Sequence, residues 1–143
     1  MKKTARASVC LLLVLLLVFC FSACGKKTLS ADAIWEKAVY HEDTELGEGK
    51  KTVSVEVKAG EKSVKFTVHT DQETVGAALM EQNLISGEDG EYGLYVKAVN
   101  GITADYDTDG CYWAFYIDGE YAVSGVDSTE IAESVEYQLV RSK

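Results

Sequence analysis

The feature that most constrains this chain is a strict period-two alternation starting at Thr52. Val53, Val55 and Val57 alternate with Ser54, Glu56 and Lys58, and Val64, Phe66 and Val68 alternate with Lys65, Thr67 and His69. A strand turns successive side chains to opposite faces, so each run has one apolar and one wet face. Ala59-Gly60-Glu61-Lys62 lies between the runs as a turn, and together they predict a β-hairpin. The apolar face has to be buried against another element.

The next segment supplies that element. Thr74 reads as a helix N-cap, with Asp71 and Glu73 near the positive helix end. Val75, Ala78 and Leu79, with Gln82, share one side at helical spacing. Gly76 lowers helix propensity and is expected to let the helix approach the sheet closely. The helix should fade near Asn83, and Gly87 to Gly90 reads as an acidic loop. Tyr92 to Val99 is a third strand, Asn100-Gly101 a turn, and Tyr112 to Ile117 a fourth strand dense in aromatics. Asp118-Gly119 suits a type I′ turn, which needs positive φ at both residues, and Glu120 to Ala122 returns. Val135, Tyr137 and Leu139 alternate once more. This order predicts an α+β fold: a β-grasp-like mixed sheet with one helix packed on it, its last strand parallel to its first in the sheet centre.

The N-terminal end reads as an address. Lys2, Lys3 and Arg6 precede an unbroken apolar run of 13 residues from Val9 to Phe21. About 20 residues are needed to span a bilayer as a helix, so this run fits the core of a secretory signal. Phe21-Ser22-Ala23-Cys24 then reads as a bacterial lipobox, with Phe21 where leucine is usual. An ordinary signal cut after Ala23 is the alternative; the polar Gly25-Lys26-Lys27 that follows favours the lipobox. Cys24 is then the lipid-attachment residue, and two acyl chains anchor a protein stably where one does not. The expected organisation is a signal peptide over 1–23, a partly structured lipid-anchored tether over 24–51 and a domain over 52–143. Within the tether, Asp32 could cap a short helix with Ile34, Trp35, Ala38 and Val39 on one face; equally, Ala38 to Leu46 could run extended. The expected location is the outer face of the bacterial cell membrane, with the membrane as partner through the anchor.

All 23 acidic residues follow Cys24, and the whole chain carries a net charge of −9. Such a surface repels nucleic acid, so no nucleic-acid partner is expected. Of the four cysteines, Cys10 and Cys20 leave with the signal and Cys24 takes lipid, so Cys111 stands alone and no internal disulfide is expected in the mature chain.

No catalytic pattern is present: no zinc-protease helix motif, nucleophile elbow or phosphate-binding glycine loop. His69 sits beside Thr67 on a polar strand face and reads as solvated, and His41 lies in the tether. Cys111 is flanked by Asp107 and Asp109, the wrong sign to promote a thiolate. No enzyme and no cofactor are therefore expected. Asp105-Tyr106-Asp107-Thr108-Asp109-Gly110 matches the first half of an EF-hand loop, but position twelve is Tyr116 rather than a bidentate Glu, so an acidic turn is expected and no metal site.

Aromatic density remains. Tyr92, Tyr95, Tyr106, Tyr112, Trp113, Phe115, Tyr116 and Tyr121 fall within 30 residues. On the fourth strand Tyr112, Ala114 and Tyr116 take one face and Trp113, Phe115 and Ile117 the other. One set belongs to the core; the other either covers the second face or meets a ligand.

Tyr92-Gly93-Leu94-Tyr95-Val96, Val99-Asn100-Gly101-Ile102, Tyr112-Trp113-Ala114-Phe115-Tyr116 and Gly125-Val126 together resemble the C-terminal β-domain of the transcobalamin and intrinsic factor family. Thr74 to Leu79 is similar to that family's helix start, and Asp118 to Ala122 to its hairpin. The resemblance runs from about Thr52 to Val140. It implies a non-catalytic domain that binds a small molecule, with cobalamin or another corrinoid as a candidate ligand captured for uptake. In the animal carriers this domain closes over corrinoid against a large helical domain, and no stretch of this sequence reads as that partner. The expected ligand-binding residues are Tyr95, Asn100, Trp113, Tyr116 and Tyr121, converging near the Asp118-Gly119 hairpin. The alternative is a structural or interaction module that docks on a surface or transport protein.

Overall fold

The computed structural model describes residues 30–143. The signal peptide, Cys24 and the start of the tether lie outside the described residues. In chain order the elements are α1 (Ala31–Trp35), β1 (Thr44–Gly47), β2 (Lys51–Ala59), β3 (Lys62–Thr70), α2 (Val75–Glu81), β4 (Ile85–Gly90), β5 (Gly93–Val99) and β6 (Ile102–Thr103). They continue with α3 (Tyr106–Asp109), β7 (Tyr112–Ile117), β8 (Glu120–Tyr121), a 3-10 turn (Val126–Ser128) and β9 (Glu136–Ser142).

The alternation sets the register. β2 and β3 pair antiparallel with Val53 opposite Val68, Val55 opposite Phe66 and Val57 opposite Val64, and all six side chains are buried. Gly60 turns the hairpin at φ +64°. β9 joins β2 in parallel, giving a six-stranded sheet in the order β1-β3-β2-β9-β7-β8. The expected parallel central pair is present. Tyr137 and Leu139 of β9 add to the apolar face, while Gln138 on the wet face donates to Glu56 at 2.8 Å. The Asp118-Gly119 turn has positive φ at both residues, as its type requires.

Thr74 Oγ1 accepts from the Ala77 N–H and starts α2, which buries Val75, Ala78 and Leu79 and gives way at Asn83 with φ +54°. Gly76 does not serve the sheet as expected. A Cβ there would stand 2.8 Å from the backbone of Asp127, so its missing side chain seats the helix against the 3-10 turn.

Three further features depart from expectation. Gly87–Gly90 is not a loop; it belongs to β4, which pairs with β5 past a bulge at Ser86/Gly87. Its side chains are exposed, so backbone pairing rather than apolar patterning forms it. With β6 these strands make a second, three-stranded sheet, where one sheet was expected. The cap of α1 is Ser30, whose hydroxyl accepts from the Ala33 N–H, whereas Asp32 pairs with Lys62. Both readings of residues 31–46 are met in part: the helix ends at Trp35 and a strand begins at Thr44. Trp35 enters the core and donates its Nε1–H to the Ala59 carbonyl at 2.8 Å. Tyr40 lies edge-on to Phe66 with ring centroids 5.7 Å apart.

Candidate functional site

The six-stranded sheet has one face in the core and one toward solvent. On the solvent face His69 sits between strands, with Nε2 2.6 Å from Glu45 Oε1 and Nδ1 3.3 Å from Thr52 Oγ1. These partners replace the expected solvated histidine and brace β1, β2 and β3. A polar groove of about 570 Å³ near Thr52, Ser54 and Ser134 is spanned by the Lys65–Glu136 pair at 3.1 Å.

The aromatic residues gather elsewhere. β5 and β7 run close together, and the segment after β8 passes over them before the 3-10 turn. Between these elements lies a cleft of about 650 Å³. Tyr95 and Leu94 come from β5, Tyr112, Trp113 and Phe115 from β7, and Leu139 from β9. Tyr121 to Val126 and Ser128 close another side, and no lining residue carries a charge.

Of the five expected ligand residues, three line this cleft: Tyr95, Trp113 and Tyr121. Tyr116 does not. It takes the opposite face of β7, as the odd separation from Trp113 demands, and meets Tyr121 edge-on at 5.4 Å. Asn100 is a clear correction. It is 1 % exposed, its Oδ1 accepts from the Tyr40 N–H at 2.9 Å and its Nδ2 donates to the Tyr40 carbonyl at 2.8 Å. Its amide is consumed in clasping the N-terminal segment, and it holds φ +51° in the turn. Sequence reasoning also missed Val123, Ser124, Gly125 and Ser128. They follow no strand or helix period, and only the aromatic density upstream hinted at a site.

Two buried polar atoms lack a partner among the described residues: Trp113 Nε1, in the cleft lining, and Asp127 Oδ1, in the 3-10 turn between the lining residues Val126 and Ser128. Trp113 is only 7 % exposed. A Cβ on Gly93 would come within 2.7 Å of Asp127 Oδ2, and one on Gly125 within 2.8 Å of Oδ1, so the two glycines cradle this carboxylate. At the rim Tyr92 and Val123 are fully exposed and Tyr121 largely so. A buried, unpaired donor costs roughly 1–3 kcal/mol, which a ligand acceptor would offset.

The half-EF-hand sequence folds not as the expected acidic β-turn but as the one-turn helix α3. Asp105 caps α3 by accepting from the Asp107 N–H at 3.1 Å, and its other oxygen lies 3.4 Å from Lys97 Nζ. Asp109 accepts from the Cys111 N–H at 2.8 Å and pairs with Arg141 at 2.7 Å. Burial raises the Asp109 pKa, but the backbone donors of Cys111 and Asp105, with Arg141, outweigh it and hold the carboxyl below its usual range. Cys111 is buried and free, its thiol 3.6 Å from the Asp109 carbonyl.

Residues 72–135 match the family model of a domain of unknown function, DUF4430. The fold is also that of a crystal structure described as a "putative metal binding protein" from Ruminococcus gnavus ATCC 29149. That protein is 30 % identical, the TM-score is 0.62, and the match covers 66 % of this chain and 98 % of that one. Haptocorrin in complex with Cbi matches with a TM-score of 0.51 at 17 % identity, a likeness of fold. It covers 68 % of this chain but only 27 % of haptocorrin, so the chain spans about a quarter of that protein. No curated protein sequence matches the chain.

Proposed function

This chain belongs to one family with the Ruminococcus gnavus protein, which it matches over 98 % of that protein's length, and on that premise we propose that it is a non-catalytic small-molecule-binding domain. Its site is the cleft between β5, β7 and the Tyr121–Val126 segment. The carrying observation is Trp113: a nine-tenths buried indole lining an aromatic cleft with its Nε1–H unpaired. Ligand sites are concave and mostly apolar, with a few placed polar groups, and this cleft has that composition.

A corrinoid is the candidate ligand. The sequence resemblance supports it, as does the fold shared with haptocorrin, whose solved complex contains Cbi. Flat aromatic walls suit a macrocycle. Binding by the single domain is weak in this reading, because the rest of the carrier's enclosure has no counterpart in this sequence. The test is quenching of the two tryptophans by cobalamin. Saturable quenching that Trp113→Ala abolishes and Trp35→Ala retains is expected. No saturation up to about millimolar ligand, a free energy of roughly −4 kcal/mol, would remove the corrinoid.

The domain works at the outer face of the cell membrane in this proposal, held by lipid on Cys24. Cys24→Ala should free the chain from the membrane fraction or block its processing; a variant still bound after a high-salt wash would end the lipoprotein reading. A protein-docking role is the second reading, favoured by the full exposure of Tyr92 and Val123 at the rim.

A further inference from the structure

We propose that the cleft selects a cationic ligand, an organic ammonium whose positive group rests on the tyrosine and tryptophan faces. This rests on the cleft being the binding site, and the ligand class it names is an alternative there to the corrinoid. The argument begins with charge. From Phe66 to Val140 the chain has one Lys, no Arg and one His, against carboxylates spread through the same stretch. That Lys97 is neutralised by Glu88 at 2.9 Å and Asp105 at 3.4 Å. His69 is engaged on the far sheet face with Glu45. Among the described residues no cationic side chain lines the cleft, and Lys97 at its edge has its charge offset by Glu88 and Asp105.

The walls then supply the attraction. An aromatic face carries negative potential and draws a cation within about 6 Å of its centroid, most strongly where water is excluded. The protein makes this contact itself at the cleft edge, where Lys97 Nζ stands 5.9 Å from the Tyr95 centroid. Tyr112, Trp113 and Tyr121 offer further rings to a ligand. Between the lining residues Val126 and Ser128 stands Asp127, whose buried Oδ1 has no donor among the described residues. A buried polar oxygen left unpaired is costly, and a positive group nearby offsets that cost. The Trp113 Nε1–H asks for an acceptor as well, so the ligand carries a hydroxyl or carbonyl near its positive centre.

The probe pair is choline and 3,3-dimethylbutanol, which differ by nitrogen for carbon and hence by one charge. The readout is the indole N–H resonance of Trp113 in the ¹⁵N-labelled full chain held in a maltoside micelle, assigned by its loss in Trp113→Phe. Choline should move this resonance saturably and bind about tenfold tighter than the neutral alcohol. Asp127→Asn should shrink that ratio, and so should Tyr121→Leu, an exposed change that leaves folding intact. If the two probes bind equally, or the alcohol binds better, the charge inference falls while the cleft stands as a site for neutral ligands. If neither moves the resonance, this inference falls too, and cobalamin quenching separately decides the cleft.

Discussion

The two tryptophans are buried to a similar degree, 4 % and 7 % exposed, yet they live in different halves of the molecule. Around Trp35, in the β1–β3 and α2 half, polar groups find partners. Its own Nε1–H meets the Ala59 carbonyl, and the fully buried Thr70 donates to Glu81 at 2.8 Å. The core there is Val, Ala, Leu and one Phe in near-perfect alternation. Around Trp113 the side chains are larger, two polar atoms are unpaired, and apolar rings reach solvent. The same residue type thus closes one half and leaves the other open. Both tryptophans belong to one buried core, and the unsatisfied groups are tolerated because the rest of that core is consistently packed.

Truncation of the closed half tests this contrast most severely. Phe66→Ala removes a fully buried ring stacked edge-on by Tyr40 and should cost about 3–5 kcal/mol in chemical denaturation. A loss under about 0.5 kcal/mol would mean that this half does not carry the stability. The tryptophans themselves sharpen the comparison. Trp35→Phe loses packing and a hydrogen bond, whereas Trp113→Phe loses packing alone, so Trp35→Phe should cost about 1 kcal/mol more. Equal losses would show that Trp113 Nε1 is satisfied in solution. The smallest effect lies at the boundary, where Asp109 ties the α3 turn to β9 through Arg141. Its folded pKa is depressed, so its contribution is present above its unfolded value, near 4, and fades as pH falls through the lower folded value. Asp109→Asn should reduce the stability difference between pH 6 and pH 3; an unchanged difference would assign the acid sensitivity elsewhere.

The closed half was also the legible one. Val53 to Val68 announce their face by period alone, and Thr74 and Asn83 bracket α2 by local chemistry. Ser86-Gly87-Glu88-Asp89-Gly90 carries no such pattern, because β4 exists through backbone pairing to β5 rather than through its side chains. The aromatic wall was visible as density, which brought Tyr95, Trp113 and Tyr121 to the cleft. Asn100 was misread because a backbone 60 positions away claims its amide, and no local pattern encodes a partner that distant. Tyr116 followed the parity of its strand, which sequence does give.

The parallel pairing of β9 with β2 has a kinetic meaning. The β9 strand in the middle of the main sheet meets its neighbour β2 across 82 positions of chain. Until it arrives, the β2–β3 hairpin has a bare edge and β7 has nothing to pair with on that side. Closing so long a loop is slow compared with forming a local hairpin, which puts completion of the sheet in the slower class set by non-local topology. Until β9 pairs, the main sheet lacks the strand that joins β2 to β7.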